Sequence, residues 1–184
     1  MIGSLIVNLL VVKGFYVSVL DYFSAYPFDL WKEYGLADLS SVRLVRGDIC
    51  DEGLVAQAMM GQDYVIHAAA YADVAGCIKN YGEDFRTNVL GTHIVLCAAK
   101  VVGVKKFVFV SSASVYGSPE WEDGRIPVFD EERKLSPTTT YANSKLWGEQ
   151  QARLFYELYG FPTVSLRYFS IYGDGQVPKL GSHS

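Results

Sequence analysis

Apolar residues in this chain form short unbroken runs, and between the runs they recur at helical spacing. The runs are bounded by glycine, proline or polar residues, so they predict strands. The five predicted strands cover 15–21, 42–48, 63–70, 105–112 and 162–168. Apolar strands that alternate with helices are typical of a parallel sheet covered on both faces. The pattern therefore predicts an α/β fold with a doubly wound parallel sheet.

Four helices are predicted from the 3.6-residue period. The first covers 1–12 and ends at Gly14, and its expected buried side consists of Ile2, Leu5, Ile6, Leu9 and Leu10. Asp51 is expected to cap a short helix that reaches about residue 60. A long helix over 81–102 has an expected buried stripe of Phe85, Val89, Leu96 and Ala99. The last helix ends at Gly160, and the segments 22–40, 117–136 and 173–184 show no clear period.

Composition narrows the class of protein. Half of the 184 residues are hydrophobic, which is enough for one α/β domain with a core. The net charge is −4 and no basic patch stands out, so nucleic acid is not an expected partner. The three cysteines lie far apart, which favours a reducing compartment over a disulfide framework or a metal site. The apolar N-terminus lacks a basic flank and is too short to span a bilayer, so we expect a cytoplasmic protein without a membrane partner.

Tyr141 and Lys145 carry the strongest chemical signal. They are four residues apart near the start of a predicted helix, so both side chains share one face. An ammonium beside a phenol stabilises the phenolate, so we expect the pKa of Tyr141 to fall from about 10 toward neutrality. Such a tyrosine can take a proton from a hydroxyl or return one to a carbonyl. The same spacing is common on ordinary helix surfaces, so its surroundings decide its meaning.

Further polar or small residues follow the predicted strands. In open parallel sheets, ligands bind beyond the carboxyl ends of the strands. Asp21, Asp48, the alanines at 68–70 and the serines at 111–112 all fall there. The sequence therefore predicts a binding site along this edge, next to Tyr141.

Eight segments along the chain resemble one known family. They are IGSLIV, VLDYFS, GDICD, VIHAAA, NVLGT, FVFVSSASVYG, YANSK and LRYFSIYG. In this order they resemble the extended short-chain dehydrogenase/reductases of the NAD-dependent nucleotide-sugar epimerase/dehydratase family, and in particular its UDP-glucose 4-epimerase-like members. The resemblance implies a Rossmann-like fold, NAD as cofactor, a nucleotide sugar as substrate and a homodimer when intact.

The resemblance also implies roles for residues at the cofactor. Asp21 would bind the adenosine ribose hydroxyls and repel a 2′-phosphate, which favours NAD over NADP. Asp48 and Ile49 match the pair that contacts adenine. Asn88 matches an asparagine near the cofactor, although a polar residue satisfied inside its helix is an equal alternative. The full implied set is Gly3, Asp21, Tyr22, Asp48, Ile49, Ala68, Ala69, Ala70, Asn88, Ser111, Tyr141, Lys145 and Phe169.

The implied catalytic set is Ser112, Tyr141 and Lys145. Ser112 would hold the reacting oxygen beside Tyr141, which moves the proton, and Lys145 would also bind the nicotinamide ribose. The implied substrate-binding residues are Ser112, Ser114, Tyr141 and Ser170.

The reaction type depends on the residues after Ser112. Dehydratases and decarboxylases of the family usually carry a carboxylate two residues after the catalytic serine or threonine. Here Ala113 and Ser114 follow, which favours a 4-epimerase acting through a 4-keto intermediate. A decarboxylase, dehydratase, keto-reductase or hydroxysteroid-type dehydrogenase remains an alternative, as does a non-catalytic dinucleotide-binding protein.

The sequence departs from the family pattern at both ends. Gly3 matches the last glycine of the dinucleotide fingerprint, so the first strand and two glycines are missing. We expect one incomplete NAD-binding domain over 1–184, in which 169–184 begins a truncated substrate-binding region. Without its central strand, the sheet would have a gap between 15–21 and 63–70. Tyr22 and Ser170 each stand where the family commonly has asparagine.

Overall fold

The computed structural model describes residues 2–24, 41–118, 124–125 and 127–173, in which strands and helices alternate. The N-terminal elements are α1 (Ile2–Val12), β1 (Val17–Asp21), β2 (Val42–Arg46), α2 (Glu52–Met59), β3 (Tyr64–His67), α3 (Val74–Lys79) and α4 (Tyr81–Asp84). They are followed by a π-helical segment (Phe85–Gly91), α5 (Thr92–Val102), β4 (Lys106–Ser112), a 3₁₀ turn (Ala113–Tyr116), α6 (Thr140–Tyr159) and β5 (Thr163–Tyr168). Most of 22–40, part of 117–136 and the segment after 173 lie outside the described residues, and so does most of the expected 169–184 region.

The described strands form two parallel sheets. In the first, β1 pairs with β2, so that Val17 lies opposite Val42 and Asp21 lies opposite Arg46. In the second, the order is β3-β4-β5, and Ser112 at the end of β4 lies opposite Tyr168. The predicted α/β fold with parallel strands is confirmed. Among the described strands, β1 and β3 do not pair, and this is where the sequence predicts a gap.

One large core connects the two sheets. It is built from β4, α2, α5 and the end of α6, and Phe107, Phe109 and Leu96 are its largest fully buried side chains. Leu20 of β1 packs against the same core, which joins the first sheet to the second. A smaller cluster of Val7, Val17 and Val42 lies between α1 and the first sheet.

The buried face of α1 differs from the prediction. Val7 is buried against the first sheet, whereas Leu5 and Leu9 are about half exposed. The helix is apolar on nearly all sides, so its periodicity alone cannot select the face that packs. Its predicted end is confirmed, because Gly14 has a φ of +81° and donates its N–H to the Val11 carbonyl.

The predicted helix over 81–102 is interrupted by a π-helical segment. A π turn holds extra backbone relative to an α turn, so it rotates the residues before it relative to those after it. Leu96 and Ala99 are fully buried as predicted, but Phe85 is exposed. Asp84 and Asn88 are buried instead. The sequence pattern did not predict this change of face or the short helix α3.

Capping side chains place the ends of the helices that flank the site. Asp51 accepts a hydrogen bond from the Leu54 N–H and caps α2 as predicted. Thr139 accepts one from the Ala142 N–H and starts α6. Gly160, with a φ of +63°, ends α6 as predicted. The first turn of α6 thereby lies against the carboxyl end of β4.

Candidate active site

Lys145 lies in a buried position between α6 and β4. Its side chain is only 3% exposed, and Nζ donates a hydrogen bond of 2.9 Å to the Val110 carbonyl. The same ammonium lies 5.0 Å from the centre of the Phe109 ring and 5.8 Å from the centre of the Tyr141 ring. The four-residue spacing therefore places both side chains on the face of α6 that meets β4, as predicted.

Burial changes the proton affinity of Lys145. It lowers the pKa of the ammonium to about 8, and the negative charges of Asp84 and Cys77 act in the opposite direction. The side chain thus remains largely protonated at neutral pH. A buried ammonium has three donors, and the Val110 carbonyl takes one of them.

The predicted fall in the pKa of the Tyr141 hydroxyl is wrong in this structure. Burial raises the pKa of Tyr141 above its ordinary value, and the charges of Cys77 and Asp84 add to this effect. A hydrogen bond with Ser112 acts in the opposite direction but does not outweigh burial. Lys145 directs its ammonium to the Val110 carbonyl, and no positive charge is among the described groups that shift the pKa of Tyr141.

Ser112 connects β4 to Tyr141. As the last residue of β4 it caps the 3₁₀ turn, and its Oγ accepts hydrogen bonds from the Ser114 N–H at 3.2 Å and the Ser114 hydroxyl at 3.0 Å. Its own proton can then be donated to the Tyr141 oxygen, which is the interaction that lowers the Tyr141 pKa. The structure thus brings together Ser112, Ser114, Tyr141 and Lys145, as the sequence predicted.

Ser111 points to the opposite side of the sheet from Ser112, because side chains alternate along a strand. Its hydroxyl is buried and donates a 2.5 Å hydrogen bond to Glu149. Glu149 is also held by Arg167, whose Nη2 lies 2.9 Å from it, and Arg167 donates to the Tyr116 hydroxyl. The Ser111 side chain is therefore engaged in an internal network rather than presented to a cofactor. Glu149 follows Lys145 by one helical turn, and this spacing was the signal that could have identified it.

Asn88 holds the loop that follows β3 through hydrogen bonds to its backbone. Its Oδ1 accepts from the Tyr71 N–H at 2.8 Å, and its Nδ2 donates to the Tyr71 carbonyl at 3.0 Å and to Asp84 at 2.6 Å. The side chain is only 2% exposed, so the alternative of a polar residue satisfied within the protein describes it best. Its bonds to the Tyr71 backbone hold the loop at 68–71 in position.

Two carboxylates follow the strands of the first sheet, as predicted. Oδ1 of Asp21 accepts the Phe23 N–H at 2.6 Å, which supports a tight turn in which Phe23 has a φ of +56°. Burial alone would raise the pKa of Asp48, but hydrogen bonds from the Cys50 N–H and from Arg86 hold it below its usual range. Arg86 reaches Asp48 at 2.6 Å. Asp48 is therefore ionised and already paired within the protein.

Three more of the residues implied for the cofactor, Ile49, Gly3 and Tyr22, differ in how they are packed. The Ile49 side chain is buried in the main core, and a Cβ added at Gly91 would lie 2.6 Å from its Cδ1. It therefore fills the space over Gly91 and does not face an open adenine surface. At Gly3, an added Cβ would have no described atom within 4 Å. Tyr22 is mostly exposed after β1.

The remaining residues lie at the open edge near β5. Phe169 is about half exposed and stacks on Tyr116, with ring centres 6.2 Å apart, and it meets Phe129 edge-on. Ser170 is exposed next to it. These positions leave both side chains free to contact a ligand.

The hydrogen-bonding groups and small side chains of the site suit a dinucleotide. The loop after β3 carries only methyl side chains at Ala68–Ala70, so a ligand can approach its backbone closely. Lys145 has further donors for ribose hydroxyls, and the second carboxylate oxygen of Asp21 is an acceptor for others. Donors and acceptors therefore stand at the ends of the strands, where a nucleotide needs them.

Other classes of site find no support in the part of the chain that the structure describes. No group of three or more His, Cys, Asp and Glu side chains there could hold a metal ion. None of the described helices could cross a membrane. His67 is fully buried beside Phe107 and Phe109, and its Nε2 lies 3.0 Å from the Thr92 hydroxyl. Burial lowers the pKa of this imidazole to about 3, so it is a neutral core residue.

Comparison with known proteins identifies relatives of the whole described fold. The model of the NAD dependent epimerase/dehydratase family matches residues 1–183. A dTDP-glucose 4,6-dehydratase of Streptomyces niveus is 35% identical over 168 residues, which are 91% of this chain and 48% of that protein. The chain spans about half the length of the curated relatives it matches.

Two solved structures illustrate the similarity. The UDP-glucose 4-epimerase of Thermotoga maritima, solved with UDP-glucose, superposes with a TM-score of 0.85 at 28% identity. The match covers 97% of this chain and 55% of that one. A dTDP-glucose 4,6-dehydratase double mutant of Streptomyces venezuelae, solved with NAD, gives 0.81 at 32% identity over 94% of this chain and 54% of that one.

Proposed function

Since the chain belongs to the NAD-dependent epimerase/dehydratase family, we propose that it forms the NAD-binding and catalytic half of a nucleotide-sugar 4-epimerase. The observation that carries this proposal is the meeting of Ser112, Tyr141 and Lys145 where β4 ends and α6 begins. A protein that only bound a dinucleotide would not need all three. NAD, when bound, accepts and returns a hydride at the sugar carbon.

The chain's own residues would handle the proton. Ser112 would hold the reacting sugar oxygen through a hydrogen bond, and Tyr141 would take its proton during oxidation and return it during reduction. The neutral phenol is the form that burial favours, so it suits the reduction step directly. Lys145, which is charged and buried, would stabilise the phenolate in the oxidation step and bind ribose hydroxyls.

Among the relatives are both 4-epimerases and 4,6-dehydratases, so the choice between them must come from the site. The 3₁₀ turn after Ser112 presents Ala113 and Ser114, and neither can act as a carboxylic acid. Ser114 instead returns its hydroxyl to Ser112. Elimination of water needs an additional acid or base, whereas epimerisation needs only Tyr141 and the cofactor. This difference supports the 4-epimerase.

The experiment uses a lengthened chain, in which this sequence carries the first strand and the C-terminal half of the Thermotoga maritima UDP-glucose 4-epimerase. UDP-glucose is supplied with NAD, and products are separated by chromatography. We expect UDP-galactose from the parent and a loss of about 10²–10⁴-fold in turnover with Tyr141→Phe. NAD affinity should change little, because Lys145 and Asp21 are retained.

Tyr156→Phe serves as the matched control, since it removes the same hydroxyl from an exposed tyrosine on α6 that has no role in the site. Formation of a 4-keto-6-deoxy product would show a dehydratase and overturn the epimerase. Full turnover by Tyr141→Phe would show that the reaction does not use this tyrosine. NAD binding without any turnover by the parent would favour the non-catalytic alternative.

A further inference from the structure

Asp84 is a buried acid to which neither the sequence pattern nor the family resemblance assigned a role. It is the last residue of α4, directly before the π-helical segment, and it is only 2% exposed. Its Oδ1 accepts hydrogen bonds from the Asn88 side chain at 2.6 Å and from the Ser144 hydroxyl at 3.0 Å. A carboxylate is rarely buried to this extent unless charged or polar partners surround it.

Ser144 connects Asp84 to the first turn of α6. Its hydroxyl lies 3.0 Å from Asp84 and 2.9 Å from the Tyr141 carbonyl, and its single proton can be donated to only one of them at a time. Donation to a carboxylate is the stronger of the two bonds. Ser144 directly precedes Lys145, so this bond fixes the helical turn that carries both Tyr141 and Lys145.

Asp84 also acts on Lys145 through its charge. Burial disfavours the ammonium, and the Asp84 carboxylate is the largest influence that favours it. Cys77 of α3 acts in the same direction when ionised, and His67 of β3 is neutral over the range in which Lys145 titrates. Tyr141, on the same helix, is also neutral at that pH because its pKa is raised. Among the groups that favour the charged form of Lys145, Asp84 therefore acts most strongly.

We propose that Asp84 is a positioning residue, which keeps Lys145 protonated at neutral pH and anchors the first turn of α6 through Ser144. Its value for catalysis rests on the function proposed above. Its effect on Lys145 is a property of this chain alone and can be measured without cofactor or turnover. Asp84 directly precedes the π-helical segment and Asn88 lies within it, and both side chains are buried.

The test compares Asp84→Asn with Ser144→Ala in the 184-residue chain. Asparagine keeps an acceptor oxygen for both hydrogen bonds and removes only the charge, whereas Ser144→Ala removes one hydrogen bond and keeps the charge. Lysine is labelled with ¹³C, and the titration of Lys145 is followed by NMR, with Lys145→Arg to assign its signal. The wild-type midpoint should lie near 8.

Asp84→Asn should lower this midpoint by about one pH unit, as expected for loss of a nearby opposite charge. Ser144→Ala should leave it nearly unchanged, and so should Asp63→Asn, which removes an exposed charge paired with Lys105. Where Asp84→Asn does not fold, Asp84→Ser carries the same expectation, since it keeps an oxygen and loses the charge.

An unchanged midpoint in the Asp84 variant would overturn the proposal, as would a wild-type Lys145 that titrates together with the exposed lysines. A shift of equal size in Ser144→Ala would assign the effect to structure rather than charge, and would also overturn it. The outcome is independent of the proposed function, because the Lys145 titration is measured without cofactor or substrate. Its result therefore stands even if the lengthened chain fails to bind NAD or to epimerise a sugar.

Discussion

Gly148 lies where α6 crosses β4, and the structure predicts what a single added methyl group would do there. A Cβ at this position would stand 2.4 Å from Cζ and 2.8 Å from Cε1 of Phe109. Carbon atoms in contact prefer about 3.5–4.0 Å, so the ring or the helix would have to move by about 1 Å. Phe109 is only 1% exposed within the main core and has little room to move.

Two effects of Gly148→Ala oppose each other. Overpacking a core typically costs about 1–3 kcal/mol, whereas alanine is favoured over glycine in a helix by about 0.5–1 kcal/mol. We therefore expect a net loss of about 1 kcal/mol in the free energy of unfolding, with the clash as the dominant effect. Urea unfolding followed by circular dichroism measures this difference.

Gly53→Ala in α2 is the matched control. There an added Cβ meets only the Asp51 carboxylate, at the ordinary distance of 3.5 Å. Only the helical preference then remains, so this variant should be as stable as the parent or up to about 1 kcal/mol more stable. If Gly148→Ala proves as stable as Gly53→Ala, the close packing of α6 on Phe109 is not real and the reasoning fails.

Three other predictions concern the cofactor, acid stability and the sheet. In the lengthened chain, NAD should bind much better than NADP, and Asp21→Ala should reduce that preference in calorimetric titrations; an unchanged preference would remove the role given to Asp21. Burial lowers the pKa of His67 to about 3, well below its ordinary 6.5. As the pH falls from 6.5 toward 3, the unfolded chain therefore takes up a proton at this residue while the folded chain does not. The free energy of unfolding should fall over this range by up to about 1.4 kcal/mol per pH unit. His67→Gln should reduce this slope in urea unfolding measured at several pH values, and an equal slope would contradict the assignment. Adding a glycine-rich strand ahead of Ile2 should raise the melting temperature and make it respond to NAD. A melting temperature that already responds to NAD in the 184-residue chain would contradict the expected gap between β1 and β3.

Elements with a local signal could be predicted from the sequence. The strands and the end of α6 were located because apolar runs and Gly160 act within a few residues. The meeting of Ser112 with Tyr141 followed from the rule that ligand sites form at the carboxyl ends of parallel strands. These parts of the site required no knowledge of long-range packing.

The parts that could not be predicted depend on contacts between distant residues. No local pattern marks the π-helical segment, the exposure of Phe85 or the burial of Asp84. The pKa of Tyr141 depends on how deeply the phenol is buried and on where the Lys145 ammonium points, and the four-residue spacing specifies neither. The hydrogen bond that holds the Ser111 hydroxyl inside the protein likewise depends on Glu149, which is 38 residues away in the sequence.

The division of the strands into two sheets has a consequence for local opening. The first sheet packs on the small cluster of Val7, Val17 and Val42 and reaches the main core through Leu20, whereas the second sheet contributes Phe107 and Phe109 to the main core itself. Backbone amides of β1 and β2 should therefore exchange with solvent through low-energy openings, well before those of β4. Asp21 ends a strand of the weakly protected sheet, whereas Tyr141 lies on α6, which packs against β4 of the strongly protected one. A bound nucleotide would thus meet its reacting groups already ordered, while its adenosine end would have to restrict the motion of the first sheet, so part of its binding free energy would be lost as conformational entropy.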